Sequence, residues 1–134
     1  MRAVLADTGP LYALIDPDDR YHKRAKQQLA RLTAENRGVL VLEPIVLETH
    51  TLILRRMGPR TAQSWLGEIN RAAGLLNPTV SDYDLARMQL AGFPDQKITL
   101  FDSTLAAVAR QLGIPTWTYD FHFDVLRAEV WREG

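Results

Sequence analysis

Apolar residues along the chain fall into short unbroken runs, separated by longer stretches in which they recur with helical spacing. Ala3-Val4-Leu5-Ala6 is the first run and predicts a strand over residues 2–6, followed by a short helix starting near Pro10, a favourable first-turn residue. Residues 18–36 have the pattern of a polar amphipathic helix ended by the stop signal Asn36-Arg37-Gly38. Val39-Leu40-Val41-Leu42 predicts a fully apolar strand, and Pro44 then opens a helix that Gly58-Pro59 breaks. A helix over 60–73 puts Trp65, Leu66 and Ile69 on one face, and Gly74-Leu75-Leu76-Asn77-Pro78 is a short strand candidate. Ser81 and Asp84 suit a capping box for a helix to about Gly92. A further helix over 100–112 stops at Gly113, a strand covers 115–119, and a last strand includes Val130 and Trp131.

Strands alternating with helices predict an α/β layer structure with a central, mostly parallel sheet. At 134 residues, with no internal repeat, low-complexity tract or long linker, the expectation is a single domain over 1–134. Hydrophobic and charged contents of 46% and 24% belong to the soluble globular class. No run reaches the roughly 18 apolar residues of a membrane span, and the N-terminal run is too brief for a secretory signal. A cytoplasmic protein is expected. The absence of cysteine excludes disulfides, thiolate metal sites and cysteine nucleophiles. The formal net charge is zero but uneven. Residues 1–60 carry ten Lys/Arg against seven Asp/Glu, and residues 61–134 carry six against nine. Such a division suits an acidic site rimmed by basic helices.

Four acids stand where a water-seeking side chain is least expected. Asp7 closes the first strand, and Asp120 follows the run Pro115-Thr116-Trp117-Thr118-Tyr119. Glu48 lies inside Ile45-Val46-Leu47-Glu48-Thr49-His50-Thr51-Leu52-Ile53-Leu54, and Asp102 early in Leu100-Phe101-Asp102-Ser103-Thr104-Leu105. In parallel sheets the cleft lies beyond the carboxyl ends of the strands, the position Asp7 and Asp120 both occupy. Asp102, in the first turn of its helix, enters from the same side if the crossovers are right-handed. Brought together, the four make an all-oxygen cage for a hard divalent cation, suited to hydrolysis of a phosphodiester.

Each acid also has a structural reading. Asp7 can cap the helix at Pro10, Thr99-x-x-Asp102 matches a capping box, and Asp120 can be a turn aspartate. Glu48 is too deep in its helix to cap, and Arg55 or Arg56 is its ordinary alternative partner. Asp16, Asp18, Asp19, Asp82 and Asp84 belong to turns and helix starts, while Asp124 is a candidate outer ligand. His22, His50 and His122 show no metal-binding spacing and read as surface or satisfied histidines; Trp65, Trp117 and Trp131 read as core or interface residues rather than base-stacking platforms. No phosphate loop, dinucleotide glycine pattern or Gly-x-Ser-x-Gly elbow is present. A haloacid-dehalogenase-like phosphatase needs a second aspartate where Gly9 stands.

Taken in order, Ala6-Asp7-Thr8-Gly9-Pro10-Leu11-Tyr12-Ala13-Leu14, Glu48, Thr99-Leu100-Phe101-Asp102 and Thr118-Tyr119-Asp120-Phe121-His122-Phe123 resemble the PIN-domain ribonucleases over essentially the whole chain. The resemblance implies a three-layer α/β/α fold with the acids grouped at one sheet edge. It implies Asp7, Glu48, Asp102 and Asp120 as catalytic, Mg²⁺- or Mn²⁺-binding residues, with Thr8 and Thr118 as supports. Ser103 departs from the family, where alanine commonly follows the third acid, without threatening metal binding. Members of this size resemble the VapC toxins of toxin–antitoxin pairs, which implies an RNA substrate, a cognate antitoxin and a homodimer. Alternatives are a housekeeping RNA-processing or DNA-cleaving nuclease with the same site, and a non-catalytic interaction module on the same fold. Four carboxylates about 4 Å apart repel by roughly 1 kcal/mol per pair even in water, so at least one raised pKa is expected without metal. Basic groups to hold a strand are sought in Arg20, Lys23, Arg24 and Lys26, and in Arg55, Arg56 and Arg60.

Overall fold

The computed structural model describes residues 2–132. Among them the sheet has four strands, β1 (Ala3–Ala6), β2 (Gly38–Leu42), β3 (Gly74–Leu76) and β4 (Thr116–Trp117), all parallel and ordered β3-β2-β1-β4. β1 is central and its residues are all buried, as expected of a strand covered on both faces. The register pairs Leu5 with both Leu40 and Thr116, and Leu42 with Leu76.

Helices α1 (Thr8–Ile15) and α2 (His22–Ala34) connect β1 to β2, and α3 (Glu43–Met57) and α4 (Pro59–Ala72) connect β2 to β3. These steps move along the sheet in one direction, so right-handed crossovers lay all four helices on one face. Helices α5 (Val80–Ala91) and α6 (Leu100–Leu112) lead back past β2 and β1 to β4, which puts them on the other face. The result is three layers, α/β/α. The core runs through them: Val4, Leu5, Val41, Leu42, Ile45, Ile53, Leu105 and Trp117 belong to one buried cluster. The direction of travel reverses between β1 and β4. That switch point opens a crevice at the carboxyl ends of the two strands, the ends that carry Asp7 and Asp120.

Several boundaries differ from the sequence expectation for local reasons. Helix α2 begins at His22 rather than near 18. Asp16 accepts from the Asp18 N–H at 2.9 Å and Asp19 from the Tyr21 N–H at 2.8 Å, so these aspartates stabilise turns. Its end is as predicted: Asn36 takes a φ of 59° and the Arg37 N–H reaches back to the Leu32 carbonyl. The capping box of α5 is Thr79 with Asp82, not Ser81 with Asp84. Strand 115–119 shortens to two residues because the Thr118 side chain turns the backbone, accepting from the Asp120 N–H. The expected last strand reduces to a bridge between Val130 and Thr116, and a short helix α7 (His122–Val125) precedes it. Gly113, at a φ of 66°, ends α6 in the left-handed conformation that glycine adopts most easily.

Candidate active site

Asp7 terminates β1 and caps α1, its Oδ1 accepting from the Thr8 N–H at 2.8 Å. Its Oδ2 accepts from the Thr118 hydroxyl, also at 2.8 Å. The capping role and a place in the acid cluster therefore coexist in one side chain. Asp7 is 7% exposed. Burial and the Asp102 charge push its carboxyl up to about 7, against the lowering pull of Thr118 and Thr8, with Glu48 adding to the rise.

Glu48 faces inward from the middle of α3, where it accepts a hydrogen bond from the Thr8 hydroxyl. Thr49, fully buried beside it, donates to Thr8 Oγ1 at 3.1 Å, so a relay of hydroxyls fixes the carboxylate. Among the described residues no ion pair joins Glu48 to Arg55 or Arg56. Arg56 lies over the Tyr12 ring at 5.1 Å, and Arg55 lines the acid cleft.

Asp102 sits in the first turn of α6, the helix with a continuous buried run from Asp102 to Ala109. Thr99 caps that helix by accepting the Asp102 N–H at 3.1 Å, which leaves the carboxylate turned to the cleft. Its pKa is raised by burial, then by Asp120 and Glu48, with Thr99 opposing. The next residue, Ser103, pins α6 to α5: its hydroxyl donates to the Ala86 carbonyl at 2.7 Å and accepts from Gln89. That serine is structural.

Asp120 follows β4 and is tied to Asp7 through Thr118, whose Oγ1 accepts the Asp120 N–H at 3.0 Å while donating to Asp7. One threonine thus sets the spacing of two acids from different strands. Asp7, Glu48, Asp102 and Asp120 line a single cleft of about 560 Å³, together with Thr8, Arg55 and Phe101. The expected raised carboxyl is found twice, in Asp7 and Asp102.

Asp124 lies outside this cleft, exposed and paired with Arg132 at 3.2 Å. The three tryptophans are buried as core, and Trp117 Nε1 donates to the buried Gln28 Oε1 at 2.9 Å. Of the basic residues sought, Arg55 reaches the cleft. Arg24 lies over the Tyr119 ring at 5.3 Å, in an adjoining hollow that shares Asp120 and Thr118. Arg60 lines a separate hollow with Ser64 and Glu68.

His122 is what the sequence reading missed. Its ring nitrogen joins carboxylate oxygens of Asp102 and Asp120 in a trio whose members all lie within 4.8 Å of one another. The signal in the chain was its position two residues after Asp120, obscured by the lack of any second histidine at metal-binding spacing.

The PIN-domain family model matches residues 4–129. The fold superposes on VapC20 of Mycobacterium tuberculosis, described as a Sarcin-Ricin loop cleaving toxin, with a TM-score of 0.84 and 25% identity over 98% of this chain and 100% of that one. It also matches VapBC2 from Rickettsia felis, bound to a DNA fragment from their promoter, with a TM-score of 0.76 and 12% identity over 96% of each chain. FitAcB from Neisseria gonorrhoeae matches with a TM-score of 0.68 and 18% identity, again over 96% of each. The last two likenesses concern the fold alone. No curated protein sequence matches the chain.

Proposed function

The chain belongs to the PIN-domain family, and from that premise we propose that this VapC-like toxin nuclease is a metal-dependent endoribonuclease, acting as one domain over residues 1–134. The observation that carries the reading is the convergence of Asp7, Glu48, Asp102 and Asp120 on one cleft at the sheet's switch point. The donor set fits a hard divalent cation: four carboxylates, two with raised pKa values that a nearby positive charge would bring down. Asp7, Asp102 and Asp120 would hold Mg²⁺ or Mn²⁺, with Glu48 at a second ion or at the attacking water. When bound, the cation supplies a more acidic water and a polarised phosphate.

The protein's own residues do the positioning. Thr118 holds Asp7 and Asp120 at fixed separation, and the Thr49–Thr8 relay aims Glu48 at the cleft, where it can accept a proton from water. Arg55, at the cleft wall, offsets the charge of the incoming phosphate. Attack by water in line with the 3′-oxygen would break the P–O3′ bond, leaving a 5′-phosphate and a 3′-hydroxyl. The proposed partners are an RNA strand, a second copy in a homodimer and a cognate antitoxin whose arginine or lysine enters the acid cleft. The proposed compartment is the cytoplasm; no helix of the described residues is long and apolar enough to cross a membrane.

An RNA cleavage assay with Mg²⁺ or Mn²⁺ tests the reading, comparing wild type with Asp7→Asn and Asp102→Asn. Metal-dependent cutting is expected in the wild type and lost in both variants. A 2′,3′-cyclic phosphate product, or cutting that survives both substitutions, would overturn it.

A further inference from the structure

Resting on the reading of the acid cleft as a cation site, we infer that His122 is an additional ligand, giving the chain a mixed nitrogen–oxygen position that prefers Mn²⁺ to Mg²⁺. Among the described residues, His122 Nδ1 is the one buried side-chain polar atom without a hydrogen-bond partner. Buried polar atoms are otherwise paired, so an orphan of this kind needs a reason. Nδ1 lies 3.1 Å from Asp120 Oδ1, out of line for a hydrogen bond, and that same oxygen already accepts the His122 backbone N–H at 2.9 Å. The N–H bond fixes the carboxylate relative to the ring.

The spacing suits a shared ion. Adjacent donors around a six-coordinate cation with bonds of about 2.1 Å sit about 3 Å apart, and opposite donors about 4.2 Å. The Asp120–His122 pair matches the short edge at 3.1 Å, and Asp102 completes a trio within 4.8 Å. Phe121 packs on the imidazole at 4.3 Å between ring centroids, holding it against the acids. Mg²⁺ takes oxygen donors almost exclusively, whereas transition ions accept imidazole nitrogen. A histidine in the set therefore discriminates between the two cations that an all-carboxylate site would bind alike.

Calorimetric titration of the full chain with Mn²⁺ and with Mg²⁺, together with pulsed electron paramagnetic resonance of the Mn²⁺-loaded protein, decides the matter. Wild type is expected to bind Mn²⁺ at least about tenfold more tightly than Mg²⁺ and to show nitrogen coupling to the ion. His122→Ala, with His122→Gln as a volume-preserving variant checked by circular dichroism, should abolish that coupling and weaken Mn²⁺ binding by roughly 10-fold or more. Their Mg²⁺ affinity should stay within about threefold of wild type. Mn²⁺ bound by wild type without nitrogen coupling, at an affinity the variants share, would overturn the role of His122 and leave the carboxylate site standing. Failure of wild type to bind either ion would overturn the cation site itself, and this inference with it.

Discussion

Replacing Asp7 by asparagine should make the metal-free protein more stable at neutral pH while destroying the site. Asp7 is buried beside Asp102 and Glu48, and its carboxyl is raised from an ordinary 3.8 to about 7. In the folded chain it keeps its proton up to about pH 7; in the unfolded chain it loses it near pH 4. Between those values the native state binds one more proton than the unfolded state, so stability falls as pH rises, by about 1.4 kcal/mol per pH unit. Above about pH 7 both states are ionised and the full penalty of about 4 kcal/mol is in place. An asparagine at this position has no proton to lose. The difference in unfolding free energy between the variant and wild type, measured by urea denaturation in chelator, should therefore widen by about 3 kcal/mol between about pH 4.5 and 7.5. In thermal melts the Tm gap should widen by roughly 10 °C. Taking the difference cancels every group the two proteins share. At about pH 7.5, adding Mn²⁺ at about 100 times its Kd should return about 2.7 kcal/mol to wild type and nothing to the variant. A gap that stays constant across this pH range, or a variant less stable than wild type at the upper end of it in chelator, would refute the account of Asp7 as a strained, buried acid.

Three further outcomes follow from the same contacts. Thr118→Val removes both the hydroxyl on Asp7 and the acceptor for the Asp120 N–H; it should cost about 2 kcal/mol in urea denaturation and weaken Mn²⁺ binding about 10-fold by calorimetry. Glu48→Gln keeps the size of the side chain and the contact with Thr8 but loses the proton acceptor. Its single-turnover RNA cleavage should drop by roughly 10²-fold or more with RNA affinity unchanged. Gln28→Leu strips the acceptor from Trp117 Nε1 and from the Tyr119 hydroxyl, the latter at 2.6 Å. The buried Trp117 N–H, left without this acceptor, should lower the urea midpoint by the equivalent of about 1–3 kcal/mol at unchanged m-value.

The layers of this fold were legible because buried parallel strands announce themselves. Ala3–Ala6 and Val39-Leu40-Val41-Leu42 read as apolar runs, and the proline and glycine signals at Pro44, Gly58-Pro59 and Gly113 fall at real helix ends. The four acids were legible for the complementary reason: a carboxylate inside an apolar run needs an explanation, and Glu48 has its explanation in Thr8 and the cleft, not in an arginine. Signals carried by side chains bending the local backbone were not legible. Thr118 ends β4 early by capturing the Asp120 N–H, and Thr79 outcompetes Ser81 as the cap of α5, although both have the required chemistry. His122 was hidden because its partners, Asp102 and Asp120, come from different elements, and spacing along the chain cannot register a donor set assembled by the fold.

That assembly also explains why so few side chains are needed to hold the acids. Like charges at close range drive a flexible cluster apart, so the separation must be imposed by something stiffer than the side chains. Here it is the sheet: β1 and β4 are hydrogen-bonded neighbours, with Ala6 opposite Trp117, and the acids leave the sheet within three residues of that pair. Thr118 then converts strand registry into carboxylate spacing. Helix α6 contributes Asp102 from its first turn, with the rest of its buried face packed against the sheet and α5. Moving Asp102 outward would require unpacking eight consecutive buried residues. Electrostatic repulsion of a few kcal/mol is small beside that burial. The site is therefore strained but held, and the cation proposed for it would relieve the strain without opening of the cleft. For this reason the loss of stability with rising pH should emerge as a cooperative shift of the whole unfolding transition and not as local fraying around Asp7. Hydrogen exchange at about pH 7.5 in chelator checks this: amides of β1 and α6 should exchange together, at the free energy of global unfolding.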